Sequence, residues 1–293
     1  MEETKRLSAR LDNIRAVEPI LSALRTISLG ARTVALKKAE GVTRFQQGLE
    51  RVVALACASM GADSRLYFKP RSAQHSVQLL VVGTERGLCG TFNESLLSYV
   101  DQVWQELGTA GASINLGVLG SRAERALRSH GLTPVWSGRL SLTALPPPSL
   151  AHGLVSDWLQ AYREGRIGRV EVAYNAYRGL AAYQPSRVQL LPLELSVTSG
   201  AASNLETIVE TDRQRLLEHA LRLWLSAKLY GILLDSAASE HTARYQLMDG
   251  AAENAQRLIE ELTLFLQMAR QEAITSEMRD LASGAGLLGS LPD

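Results

Sequence analysis

Apolar residues at the start of the chain recur at intervals of three and four, at Leu7, Leu11, Ile14, Val17, Leu21, Leu24 and Ile27. That spacing lays an apolar stripe along one side of a helix and predicts a helical segment over residues 1–60 whose stripe needs a partner. A second series runs Leu216, Ala220, Leu223, Ala227, Tyr230, Leu234, Ala237, and resumes through Arg244, Met248, Ala251, Ala255, Leu258, Leu262, Phe265 and Ala269. This is close to a heptad seam with many alanines, so it predicts a coiled-coil helix over residues 205–288 in close contact with a second helix. At ~1.5 Å per residue, a helix over 212–285 would be roughly 110 Å long, more than a compact domain can bury on itself. Part of it is therefore expected to project into solvent or into a partner.

Between these helical ends, over residues 70–200, the pattern changes. Val77–Thr84, Ser113–Gly120 and Arg169–Tyr177 are short β-branched or apolar runs bounded by turns, with helical stretches at Asn93–Leu107, Arg122–His130 and Ser149–Arg163. Strands alternating with helices at this spacing predict a Rossmann-like α/β domain with a mainly parallel sheet, and Arg187–Leu193 reads as a further strand. Ser196–Asn204, rich in Ser, Gly and Ala, reads as the link to the last helix. The prolines agree with this division. Pro19 is the only one before Pro70, six fall between Pro134 and Pro192, and Pro292 is the next, which leaves a long proline-free stretch for one helix.

Composition narrows the function. With 31 basic against 30 acidic side chains in 293 residues, the formal charge of +1 gives no field to steer polyanions, so a nucleic-acid partner is not expected. Aromatics make up only 5% of the chain, in keeping with helices packed through small residues. No apolar stretch is long enough to span a bilayer, and the charged start MEETKRLSARLDNIR does not read as a secretory signal. Cys57 and Cys89 are too few for a disulfide framework or a Cys-rich metal site and read as small buried hydrophobes.

The chain has no GxxxxGK[ST], HExxH or GxSxG motif, and no GxGxxG after a strand. Thr84–Asn93, TERGLCGTFN, is the nearest candidate. Arg86, Gly87, Leu88, Cys89, Gly90 and Asn93 follow a strand and precede a helix, so they could hold a phosphate on the helix N-terminus or simply make a tight turn with glycines at positive φ. The five histidines show no metal-ligand spacing, and His241 falls where the seam would place a helix contact. No catalytic residue, metal site or cofactor site is expected. Polar residues are densest within the last helix at Ala269–Met278, where Arg270, Gln271 and Thr275 lie little more than one turn apart. They read either as a solvated face or as a fork making directional hydrogen bonds to a partner. The apolar, low-bulk run that follows, through Ala282, Ala285, Leu287 and Leu288, is unusual for a helix end in water and favours a partner.

These residues carry a resemblance to the gamma subunit of rotary F-type ATP synthases. Ser239–Ala285 resembles that family's SE-x-x-AR-x-x-AM-x-x-A-x-x-N segment and its ARQ-x-x-IT-x-E-x-x-x-x-SGA ending, and ERGLCGTFN resembles its S-D-R-G-L-C-G-x-x-N turn. The resemblance covers nearly the whole chain and is weakest at the start. Where the family reads like I-x-N-T-x-K-I-T-x-A-M-x-x-V-A-A-A-K, this chain has IRAVEPILSALRTISLGAR over Ile14–Arg32: Pro19 enters mid-helix, Leu24 stands for the usual methionine, and Ala31 replaces a lysine. Those departures mark a diverged branch, for which the alternative sodium-linked synthase of some prokaryotes is a candidate.

The resemblance implies an antiparallel coiled coil of the two end helices standing inside a hexamer of alternating alpha and beta subunits. The α/β domain would lie below, against the epsilon subunit and the membrane ring of c subunits. Proton or sodium flow would turn the ring, and the shaft would drive the beta subunits through their catalytic states without binding nucleotide itself. A small-molecule-binding protein or a gamma-like scaffold outside the synthase is the alternative. By resemblance, Arg270, Gln271 and Thr275 contact a beta subunit, with Leu24 and Arg25 nearby. Ala282, Ala285, Leu287 and Leu288 run in the bearing at the top, and Glu210 aligns with an acidic residue of the foot near the c ring, although the flanking tyrosine and prolines are missing. The expected location is the cytoplasmic face of a prokaryotic cell membrane, held there only through the complex.

Overall fold

The computed structural model describes residues 2–60, 67, 76–179, 182–193 and 212–284. The chain forms two compact units, Met1–Ile27 with Tyr245–Asp293, and Ser28–Arg244. Two long helices supply both units: α1, Glu2–Met60, and α5, Arg213–Gly284. Between them come β1 (Ser76–Val82), α2 (Phe92–Thr109), β2 (Ser113–Leu119), α3 (Ser121–Ser129), β3 (Trp136–Gly138), α4 (Pro148–Arg163), β4 (Arg169–Tyr177) and β5 (Tyr183–Leu191). The proposed link at Ser196–Asn204 lies outside the described residues. Pro19 is inside α1, which continues through it.

In the Ser28–Arg244 unit the sheet order is β3-β2-β1-β4-β5, parallel except for β5, which pairs antiparallel with β4. Strand alternation divides the core into two layers. Val77, Leu79 and Val81 of β1, with Leu116 and Val118 of β2, face α2 and α3. Leu80, Val82, Val172, Tyr174 and Leu190 face α4, the end of α1 (Val53, Ala56, Cys57) and the first half of α5 (Leu217, Leu221, Leu225, Leu229, Leu233). The sheet therefore packs directly onto part of α5. Cys57 and Cys89 are both buried and free, and burial pushes the Cys57 thiol up to about 11.

The Met1–Ile27 and Tyr245–Asp293 unit is a helix pair. Leu11 packs against Leu262 and Leu266, and Arg25 pairs with Asp249 at 3.0 Å; residue numbers rise on one helix as they fall on the other, so the pair is antiparallel. Its seam on α5 differs from the sequence expectation. Met248, Ala252, Ala255, Leu262 and Leu266 are buried, whereas Phe265 is 54% exposed. Val17 and Ile27, placed in the α1 stripe by spacing, are also exposed. Two helices meeting along a single seam bury only a narrow stripe, and apolar positions beside it stay in water.

Candidate functional site

The turn after β1 is built on Thr84, which is fully buried. Its backbone N–H donates to Asn93 Oδ1 at 3.2 Å, its hydroxyl donates to the Arg86 carbonyl at 2.8 Å, and Asn93 Nδ2 donates back to Thr84 Oγ1 at 2.8 Å. The backbone reverses at Leu88 (φ 61°) and Gly90 (φ 57°), where Leu88 takes a left-handed conformation usually left to glycine. The Phe92 N–H then donates to the Cys89 carbonyl at 3.2 Å at the start of α2, and Asn175 of β4 donates to the Phe92 carbonyl at 2.8 Å. Arg86, Gly87, Leu88, Cys89, Gly90 and Asn93 thus form one closed structure, and the tight-turn reading accounts for it. The neighbouring N-terminus of α3 is filled by the chain itself: Glu85 accepts from the N–H groups of Ser121 at 3.0 Å and Leu140 at 3.1 Å, and from the Ser121 hydroxyl at 2.5 Å. A carboxylate satisfying those donors stands where an anion would otherwise bind.

Helix α5 closes over this turn. Ala243 packs with Cys89, Phe92 and Tyr183. Arg244, 8% exposed, pairs with Glu240 at 2.5 Å and reaches the Gly87 carbonyl at 3.4 Å. Its other nitrogen faces His241 Nδ1 at 3.3 Å. Burial and, after it, the adjacent guanidinium push His241 down to about 4, so its ring is neutral and Nδ1 accepts from Arg244. About two and a half turns before Arg244, Asp235 accepts from the Tyr177 N–H at 3.3 Å and from the Tyr174 hydroxyl. Burial raises Asp235 above its usual range, and burial together with Asp235 pushes Tyr174 up to about 12. Periodicity placed Arg244 and His241 at a helix contact but gave no sign of Glu240 or Asp235, because isolated carboxylates on a helix read as solvent-facing.

The His241 shift has a sign that can be tested. The folded chain holds the proton less tightly than the ordinary 6.5, so this group's contribution is complete above about 6.5 and is lost as pH falls through 6.5 towards 4. The loss is on the order of 1–3 kcal/mol. Asp235 and Glu240, raised by burial, act in the opposite sense. Thermal unfolding of the purified chain and of His241→Gln at pH 7.5 and 4.5 isolates the histidine. The wild type should lose several degrees more than the variant between the two pH values, and parallel losses would refute the assignment.

The other sequence-proposed residues lie elsewhere. Arg270, Gln271 and Thr275 are all exposed on α5, and the Thr275 hydroxyl donates to the Gln271 carbonyl one turn back, at 2.8 Å. Leu24 and Arg25 are half-buried on α1, with Arg25 engaged by Asp249. Ala282 is partly exposed, while Ala285, Leu287, Leu288 and Glu210 lie outside the described residues. Among the described residues no set of His, Cys, Asp and Glu side chains is grouped as for a metal ion, and no helix is long and apolar enough to cross a membrane.

Known proteins agree with this architecture. The chain is 28% identical over 292 residues to the ATP synthase gamma chain of Anaeromyxobacter dehalogenans (strain 2CP-C), covering 98% of this chain and 100% of that one. It is 28% identical over 289 residues to the ATP synthase gamma chain of Blochmanniella pennsylvanica (strain BPEN), with the same coverage. Among solved structures, the fold matches the rotor of the Euglena gracilis mitochondrial ATP synthase with a TM-score of 0.62 at 16% identity, covering 93% of this chain and 99% of that one. It also matches the central stalk and c-ring structure of the Tetrahymena thermophila enzyme with a TM-score of 0.58 at 18% identity, covering 79% and 99%. With the ATP synthase family model matching residues 3–288, the chain belongs to the ATP synthase family, among its gamma chains.

Proposed function

We propose that this chain is the central rotor shaft of a rotary F-type ATP synthase, coupling ion-driven rotation of a membrane c ring to ATP synthesis and hydrolysis in an alpha/beta hexamer. The observation that carries the reading is the bare end of α5: from Gln267 to Ser283 every residue except Ala269 and Ala282 is exposed. Met268, Ile274, Met278 and Leu281 are each 55–67% exposed, an apolar surface that calls for a covering partner. A ring of subunits around the helix supplies that cover. The carried-over roles follow from the same reading. Arg270, Gln271 and Thr275, with Leu24 and Arg25 nearby, face a beta subunit; Ala282, Ala285, Leu287 and Leu288 turn in the bearing; Glu210 belongs to the foot near the c ring, and the α/β domain lies against the epsilon subunit.

Rotation also fits the chemistry of the exposed face. A shaft that passes equivalent positions on successive subunits must release each one quickly, so deep hot spots would stall it. Apolar side chains on a single helix, interspersed with charged hydrogen-bonding groups such as Arg270, make shallow contacts of that kind. The complex would sit on the cytoplasmic face of a prokaryotic cell membrane.

The test is reconstitution with the alpha and beta subunits of the same source. The chain alone is expected to hydrolyse no ATP and to co-purify with alpha and beta as a complex that does. ATP hydrolysis by the isolated chain, or a chain that stays outside the alpha/beta complex, would overturn the reading.

A further inference from the structure

Two segments about 150 residues apart in sequence, the turn around Gly87 and the Glu240–Arg244 stretch, meet inside the Ser28–Arg244 unit, and the shaft reading gives neither a task. Their place in the sheet is informative. β1 and β4 are adjacent and parallel, with Val82 beside Tyr174 at their C-terminal ends. The chain leaves β1 for β2 on one side, while β4 and β5 lie on the other, so this is the point where strand order reverses and where open α/β sheets hold their ligands. Here the crevice is occupied by α5.

The occupation is polar and two-pointed. At one point Asp235 accepts from the Tyr177 N–H at 3.3 Å and from the Tyr174 hydroxyl, both at the end of β4. At the other, buried Arg244 is held by Glu240 at 2.5 Å and reaches the Gly87 carbonyl at 3.4 Å, beyond the end of β1. Nine residues separate Asp235 from Arg244, about 13 Å along the helix axis. Ser239 and Ala243, both buried and small, let the helix lie close between the two points. Apolar packing is non-directional and permits a helix to roll or slide on a sheet, whereas two directional ties separated along the axis fix its rotation about that axis.

We propose that Asp235 and Arg244 are positioning residues that lock α5 against rotation relative to the α/β domain, so that torque applied to the domain passes into the helix instead of being lost as slip. The inference rests on the rotor reading and assigns the torque-bearing joint within it. The test uses the assembled synthase in inverted membrane vesicles, with ATP hydrolysis and ATP-driven ion pumping measured together. Arg244→Met should lower the pumping-to-hydrolysis ratio several-fold while hydrolysis continues, and Arg244→Lys, which retains a cation near Glu240, should recover most of it. Tyr174→Phe removes one hydroxyl from the Asp235 tie, and its ratio should fall as the opposing ion gradient builds. Should the Arg244→Met complex fail to assemble, Tyr174→Phe decides: an unchanged ratio under load overturns the joint. Hydrolysis and pumping falling in proportion in the assembled variants would likewise overturn it, since that marks a merely structural role. Vesicles in which the wild-type chain drives no pumping would fail the rotor reading itself, a result distinct from variants that match a pumping wild type.

Discussion

Gly120→Ala is expected to remove about 3 kcal/mol or more from the stability of the α/β unit, combining a strained backbone with a steric clash. Gly120 has φ +103°, and a Cβ there would lie 2.6 Å from the Thr84 carbonyl oxygen and 2.7 Å from its carbon. Thr84 cannot move aside cheaply. Its carbonyl accepts from the Arg122 N–H at 3.0 Å, and its own N–H and hydroxyl are committed to Asn93 and Arg86. Gly120 itself donates to the Gly138 carbonyl at 2.9 Å, which holds β3 to the sheet. For a unit of this size the loss should lower the melting temperature by roughly 6–12 °C. A circular-dichroism melt within about 2 °C of wild type would mean the turn relaxes around the added methyl group. Gly87→Ala is the useful contrast, because the nearest atom to its Cβ is the movable end of Arg122 at 3.1 Å.

Arg270→Ala carries the second large effect, and it should appear only in the complex. The side chain is exposed on a helix whose neighbouring residues are exposed as well, so its removal should leave the chain's own melting curve nearly unchanged. If the guanidinium makes the proposed contact with a beta subunit, the loss of a charge-assisted hydrogen bond of about 1.5–3 kcal/mol would slow coupled synthesis by about ten-fold or more. Synthesis rates in energised vesicles, compared with the melting temperature of the isolated chain, give the check. Wild-type synthesis would refute the assigned role.

Much of this architecture could be read from the residues, and the failures have physical causes. The strands at Ser76–Val82, Ser113–Leu119 and Arg169–Tyr177 announce themselves as apolar runs, since strands buried on both faces need no polar alternation. β3 is only three residues long and carries no apolar run, so no sequence pattern marks it. On α5 two interleaved series share the same four-three spacing, and both contain Ala255 and Leu262; only α1, packed against it, selects Leu266 over Phe265. Among the glycines, the turn motif singles out Gly87 and Gly90, yet the position that combines a positive φ with a clash against backbone is Gly120, at a strand end with no motif around it. The joint at Asp235, Glu240 and Arg244 was the least legible part. A buried charge is visible only once its surroundings are: Asp235 and Arg244 meet the end of β4 and the turn after β1, while Glu240 and Arg244, four apart on α5, have the spacing of an ordinary surface ion pair.

The exposed side chains at the end of α5 also bear on how the protein is made. A subunit carrying Met268, Ile274, Met278 and Leu281 in water exposes a sticky surface throughout its life outside the complex. Surplus copies would be drawn into aggregates or degraded, so the cell gains by making this chain no faster than its partners and by enclosing the helix early. Assembly order then becomes part of quality control: the surface that is free to turn in the finished machine is the one by which an unassembled copy would be recognised as waste.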